Sequence, residues 1–188
     1  MSMARDDDHT LLARVAAGDR EAFEALYRRF HPRVSGYVFR VCRRADLVEE
    51  VVGDVMLAVW RSAARFDGRS RPSTWIFGIA YRKTLKGLER HRQRTEPLDD
   101  TPEPAVDGGA EARVLRRELR GTITEALGRL SAEQRAVVDL AYFEDLSCAE
   151  IAAVVGAPVN TVKTRLFHAR RRLRELLPAL GVSGAEAI

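Results

Sequence analysis

Apolar residues recur along this chain at three- and four-residue intervals almost throughout. Leu11, Leu12, Val15 and Ala16 share one face of a predicted first helix. Gly18 and Asp19 then read as a stop followed by a cap for the next helix. Ala22, Phe23, Leu26 and Phe30 carry a second helix, predicted to end near His31-Pro32. Val34, Tyr37, Val38 and Val41 mark a third, and Val48, Val51, Val52, Val55 and Val59 form a long stripe from about Ala45 to Phe66. The polar run DGRSRPS breaks the pattern. Pro72 is well placed to open another helix, because its missing N–H would have no partner in a first turn. The first half of that helix is apolar almost all round (Trp75, Ile76, Phe77, Ile79), and its second half is basic.

The periodicity stops at TEPLDDTPEPAVDGGAEA, which holds Pro97, Pro102 and Pro104 among six acids. Helix cannot persist through such prolines, and few of these residues can build a core. The stretch reads as a flexible acidic linker. Beyond it, Leu115, Leu119, Ile123 and Leu127 return at four-residue spacing. Two capping boxes follow: Ser131 with Gln134, and Ser147 with Glu150. No segment has strand periodicity. The predicted fold is all-α, with two small helical domains at 10–95 and 114–180 joined by the linker at 96–113. Short tails at 1–9 and 181–188 complete the division.

Composition narrows the class. The chain has 188 residues, of which 46% are hydrophobic and 31% charged, as expected of a folded protein. Net charge is only +4, so where the cations sit matters more than their number. No apolar run reaches the roughly 18 residues a membrane span needs, and the polar start MSMARDDDHT has no secretory core. The cytoplasm is the expected location. Cys42 and Cys148 lie far apart, which indicates neither a disulfide framework nor a metal site; both are expected to be buried. His9, His31, His91 and His168 are scattered, and no catalytic constellation or phosphate-binding glycine loop is present. Neither an enzyme nor a cofactor is expected.

The cations concentrate in VNTVKTRLFHARRRLRE, Val159 to Glu175. Just upstream, Ile151, Ala152 and Val155 line a short helix that Gly156 can close in the left-handed conformation. Val162, Leu166, Ala169 and Leu173 then form the inner seam of a longer, basic helix. Two helices around a short glycine-containing turn describe a helix-turn-helix, whose second helix enters the major groove of DNA. Asn160, Thr161, Lys163, Thr164, Phe167 and His168 lie off the seam in its first turns and suit base edges. Arg165, Arg170, Arg171, Arg172 and Arg174 suit phosphates, which position a protein without specifying sequence.

LSCAEIAAVVGAPVNTVKTRLFHARRRLREL resembles the fourth conserved region of bacterial sigma factors. EEVVGDVMLAVWRSAARFDGRSRPSTWIFGIAYRKTLKGLERHRQR resembles their second region, and AAGDREAFEALYRRF its start. Two such regions with nothing like a third between them resemble the extracytoplasmic-function (ECF) group of the sigma-70 family, over about Thr10 to Leu177. The resemblance implies a subunit that binds core RNA polymerase and directs it to promoter DNA. Region 2 would dock on the clamp helices of the largest polymerase subunit through positions around Glu49, Glu50, Asp54, Leu57 and Arg61. The three acids are expected opposite the valine stripe. Region 4 would meet the flap of the second-largest subunit and read the −35 element.

The same resemblance implies that region 2 opens the −10 element and captures unstacked bases. Such capture needs a π surface or pocket with cations along the backbone. The loop RFDGRSRPSTW offers Ser70, Ser73 and Thr74, the cations Arg69 and Arg71, and the flanking rings Phe66 and Trp75. Arg82, Lys83, Lys86, Arg90, Arg92 and Arg94 follow on the next helix. Two positions depart from the family's usual pattern: Gly53, where Gln is common, and Arg82, where Asn is common. The base preference at −10 is therefore not carried over. About 20 extended residues reach roughly 65–70 Å, so the linker could let one chain touch two separated DNA elements. An anti-sigma partner is also implied. The competing class is a stand-alone helix-turn-helix repressor or activator, which would bind duplex DNA without polymerase.

Overall fold

The computed structural model describes residues 7–94 and 125–179, and all regular structure among them is helical. The first domain holds α1 (Asp8–Ala16), α2 (Arg20–Cys42), α3 (Ala45–Ser62), a 3₁₀ turn (Ala63–Arg65) and α4 (Pro72–Arg94). The second holds α5 (Ala132–Tyr142), α6 (Cys148–Val155) and α7 (Val159–Ala179), with residues 125–128 ending a helix ahead of α5. The predicted linker at 96–113, the tail at 181–188 and most of the helix expected before Leu130 lie outside the described residues. Among the described residues, no helix is long and apolar enough to cross a membrane.

Local chemistry sets the helix ends. Asp19 accepts the Glu21 and Ala22 N–H groups at 2.9 and 3.1 Å, and Gly18 takes φ 87° before it. Those hydrogen bonds, first from Ala22 and then from Arg14, hold the Asp19 carboxyl below its usual range. Both predicted capping boxes form, at Ser131/Gln134 and Ser147/Glu150. Residues 7–9, assigned to the tail by the sequence, instead belong to the start of α1. Asp7 caps α1 by accepting the Thr10 N–H at 2.7 Å, Asp8 pairs with Arg29, and the His9 ring lies 5.8 Å from Phe66.

A second correction concerns Pro32. The sequence predicts two helices on either side of it, but α2 runs through without a break. Proline inside a helix costs about 3 kcal/mol. Leu26, Phe30, Val34, Tyr37, Val38 and Val41 all lie on one face, each no more than 1% exposed. Burying each side chain is worth about 1.5–3 kcal/mol, so a single continuous buried face outweighs the lost hydrogen bond.

The two domains pack against each other, α5 across α2 and α6 against α4. Arg40 forks onto Asp139, and its guanidinium lies 4.2 Å from the Phe143 ring centre. Arg33 donates twice to Glu144 Oε2, at 3.0 and 2.5 Å. Arg135 donates to the carbonyl of Val41 at 2.8 Å and to that of Leu130 at 2.6 Å. At the α4–α6 crossing, a Cβ on Gly78 would come within 3.8–3.9 Å of the Val154 backbone. This seam explains why the first half of α4 is apolar all round: it packs into its own domain and against the other. Cys42 is buried, which pushes its thiol up, whereas Cys148 is only half-buried, contrary to expectation.

Candidate nucleic-acid and partner interfaces

The second domain builds its exposed basic helix in two steps. Gly156 adopts φ 65° and ends α6 with its N–H bonded to the Ala152 carbonyl. Pro158 then accepts the Thr161 and Val162 N–H groups at 2.9 and 3.2 Å and launches α7. Val162, Leu166, Ala169 and Leu173 are buried as predicted. On α6, Ile151 and Val154 are buried, while Ala152 and Val155 are only half-buried.

With that seam inward, Asn160, Lys163, Thr164, Phe167, His168 and Arg171 are exposed. Phe167 is 62% exposed, the highest value among the large exposed hydrophobics. Its ring meets His168 edge-on at 5.5 Å. Thr164 donates its hydroxyl to the Asn160 carbonyl at 2.9 Å. Thr161 and Arg165 are half-buried instead. Residue 165 lies three after Val162 and four before Ala169, both buried, so helical geometry sets it at the edge of the seam. There it contributes to holding the Glu133 carboxyl below its usual range, behind the larger effects of that residue's own backbone and Ser131. Arg171 and Arg172 share Glu175, at 3.5 and 3.3 Å. Arg170 donates to the Tyr142 hydroxyl at 2.8 Å.

In the first domain the predicted single-strand surface divides. Phe66 and Trp75 are half-buried, with ring centres 5.6 Å apart. The intervening loop turns at Gly68, and Asp67 accepts the Arg69 N–H at 3.1 Å. Arg69 is exposed and Ser70 half-buried. Trp75, Arg82 and Lys86 share one face of α4 at i, i+7 and i+11, and both cations are exposed. Ser73 and Thr74 do not join them. They are only 9% and 3% exposed, and the Thr74 hydroxyl is buried with no hydrogen-bond partner among the described residues. Lys83 bonds Asp54 at 3.2 Å.

The predicted polymerase-facing set also divides. Glu49, Gly53, Leu57 and Arg61 recur at i+4 and are all exposed, Leu57 to 45%. Glu50 and Asp54 do not face away from the rest of the domain as expected. They reach across to α4, pairing with Arg90 at 3.1 Å and Lys83 at 3.2 Å. Among the described residues, nothing lies within 4 Å of where a Cβ on Gly53 would stand. No close packing among the described residues therefore calls for the glycine, which costs about 1 kcal/mol relative to alanine. Gly53→Ala is expected to stabilise the chain by about that amount, measured as a rise in Tm.

Sequence reasoning missed Arg33, Arg40, Asp139 and Glu144, which tie the domains together. One signal was available: Asp139 interrupts the apolar run of AVVDLAY.

Comparisons with known proteins agree with this layout. Residues 26–94 match the family model of sigma-70 region 2, and residues 120–173 that of sigma-70 region 4. The chain is 36% identical to the ECF RNA polymerase sigma factor RpoE of Cereibacter sphaeroides, over 84% of this chain and 87% of that one. It is 35% identical to the ECF sigma factor SigK of Mycobacterium sp. strain KMS, over 94% and 92%. A solved structure of CnrH in complex with the cytosolic domain of CnrY superposes with a TM-score of 0.70 at 29% identity, covering 93% of this chain and 99% of that one. With both sigma-70 regions matched in order and whole-length relatives of that kind, the chain belongs to the ECF RNA polymerase sigma factors of the sigma-70 family.

Proposed function

We propose that the chain binds core RNA polymerase and directs it to promoters by reading two DNA elements with its two domains. α7 reads the −35 duplex through Asn160, Lys163, Thr164, Phe167 and His168, and Arg171 grips its phosphates. Phe66, Arg69, Ser70 and Trp75, with Arg82 and Lys86, hold the opened −10 strand. The chemistry of RNA synthesis belongs to the polymerase. The exposed stripe Glu49–Gly53–Leu57–Arg61 meets the clamp helices of its largest subunit, and the second domain meets the flap of the second-largest. Residues 10–95 and 114–180 form the working units, 96–113 spans between them, and the protein acts in the cytoplasm. A regulatory anti-sigma protein belongs among the partners; the similar CnrH, too, is solved with a protein partner, the cytosolic domain of CnrY.

The observation that carries this reading is the second domain. Gly156 sets two helices at a tight turn, and the outward face of α7 is basic and base-compatible while its inner seam is buried. The test is run-off transcription with core polymerase on a panel of −35 variants. Lys163→Ala and His168→Ala are expected to change which −35 sequences are used. A base contact of this kind is worth about 1–3 kcal/mol of discrimination. Arg172→Ala is expected to weaken use of every promoter in proportion, because a phosphate contact carries no sequence information. If both classes of variant shift all promoters equally, α7 does not read bases. A repressor would instead bind duplex DNA tightly and specifically without polymerase, and such binding by the isolated chain would remove the sigma reading.

A further inference from the structure

An open cavity of about 350 Å³ lies where the start of α5 meets the second half of α7. Arg129 and Gln134 line it from one side, and His168, Arg171, Arg172 and Glu175 from the other. The four α7 residues fall at i, i+3, i+4 and i+7, so one helix face supplies them all. Three guanidiniums and an imidazole thus surround a single carboxylate.

The lining donates almost everywhere. A guanidinium donates and cannot accept. Gln134 Oε1 accepts the Ser131 N–H at 3.0 Å as part of the α5 capping box, which leaves the amide nitrogen for the cavity. Gln134 also stands in the first turn of α5, at the positive end of that helix's dipole. The one acceptor, Glu175, divides its oxygens between Arg171 at 3.5 Å and Arg172 at 3.3 Å. Arg129 is 3.7 Å from Glu125. A tight charge-assisted bond measures about 2.7–2.9 Å. Arg14–Asp19 at 2.7 Å and Arg44–Asp46 at 2.9 Å reach that range elsewhere in the chain. The arginines around the cavity are therefore loosely held, with donors left over.

Such a lining suits a ligand that is negatively charged and accepts hydrogen bonds on several sides. We infer that the cavity binds a phosphate group, with Arg129, Gln134 and His168 joining Arg171 and Arg172 around its oxygens. Glu175 is a weak stand-in for that ligand and gives up both arginines when phosphate enters. Two sources supply the same chemistry: a phosphate of the DNA backbone, reached beside His168 on the outward face of α7, and a free phosphorylated small molecule. The cavity's chemistry does not depend on the −35 reading; only the choice of DNA as its source does.

The chain has four histidines, so ring-proton NMR reports on the cavity through His168, with His9, His31 and His91 as internal references. The His168 signals are assigned by their loss in His168→Gln. The full chain is titrated with inorganic phosphate and with pyrophosphate at fixed pH and ionic strength, without polymerase. The His168 signals are expected to shift saturably while the other three stay in place. Arg129→Ala is expected to weaken binding about tenfold and Glu175→Gln to tighten it about tenfold, the scale of one hydrogen bond to a charged group. Glu24→Gln makes the same change of charge on α2, where Glu24 pairs with Arg28, and is expected to leave the affinity unaltered. Four sets of signals moving together, or no saturable shift, overturns the inference. So does an affinity unchanged in both cavity variants, or a triglutamate peptide that binds as tightly as pyrophosphate. A short random-sequence DNA duplex then separates the sources. Displacement of phosphate by the duplex supports the DNA backbone, and simultaneous binding supports a free ligand. If the cavity binds phosphate while Lys163→Ala and His168→Ala leave −35 choice unchanged, the −35 reading fails and the cavity stands.

Discussion

Phe77→Ala is expected to lower the stability of the chain by about 3–5 kcal/mol, the range for removing a large buried ring. Phe77 is fully buried on α4, its ring edge-on to Tyr37 at 5.4 Å, with the Arg33 guanidinium 5.5 Å from its centre. Truncation therefore removes packing within the first domain and loosens the platform on which Arg33 reaches Glu144. Urea unfolding followed by circular dichroism should show an earlier midpoint. An edge-on ring pair contributes about 0.5–1.5 kcal/mol beyond its area, so Phe77→Leu should recover most of the loss but not all. Equal stability of Phe77→Leu and the parent chain would show that the ring geometry contributes nothing.

The second large effect is electrostatic. Burial pushes the Asp139 carboxyl up to about 6; the Arg40 hydrogen bond and charge pull the other way, and Glu144 adds to the rise. Tyr37 also faces it, and its own hydroxyl is raised by burial and by Asp139. Unfolding returns Asp139 to an ordinary carboxylate value of about 3.9. The folded chain therefore holds this proton more tightly than the unfolded chain does. Its contribution to stability is fully present below about pH 4 and is lost as pH rises through about 6, a change of about 3 kcal/mol. Asp139→Asn removes the titration. The stability of the parent chain relative to Asp139→Asn should thus fall by about 3 kcal/mol between pH 4 and pH 7 and then level off. Carboxyls held low at caps, such as Asp19 and Glu150, titrate equally in both proteins and cancel in the difference. A flat difference across that range would mean that the Arg40 pair outweighs burial.

Elements with strong local signals were legible in the sequence. The Asp19 cap, both capping boxes, the Pro72 start and the glycine turn at 156 depend on neighbours a few residues away, and each formed as read. Pro32 was misread because a local rule met a tertiary one: the penalty is visible in the sequence, but the continuous buried face that outweighs it is a property of the assembled bundle. The acids of α3 were misassigned for a related reason. Helical spacing gives an angle around the axis, not the reach of Lys83 and Arg90 from a neighbouring helix. Ser73 and Thr74 read as available polar groups, and only the packing of the folded chain shows them buried. The outward face of α7 was the most legible part, because a seam of four apolar residues fixes what faces outward.

The unbroken α2 carries a constraint of another kind. At about 1.5 Å per residue its 23 residues make a rod of roughly 35 Å. Its early turns, at Leu26 and Phe30, serve one domain alone. Its last turns, from Arg33 to Val41, serve that core and the landing of the second domain together. Natural variation there is filtered twice, once for packing within the first domain and once for packing against the second. Changes in inherited promoter activity can therefore arise from positions that touch neither DNA nor polymerase.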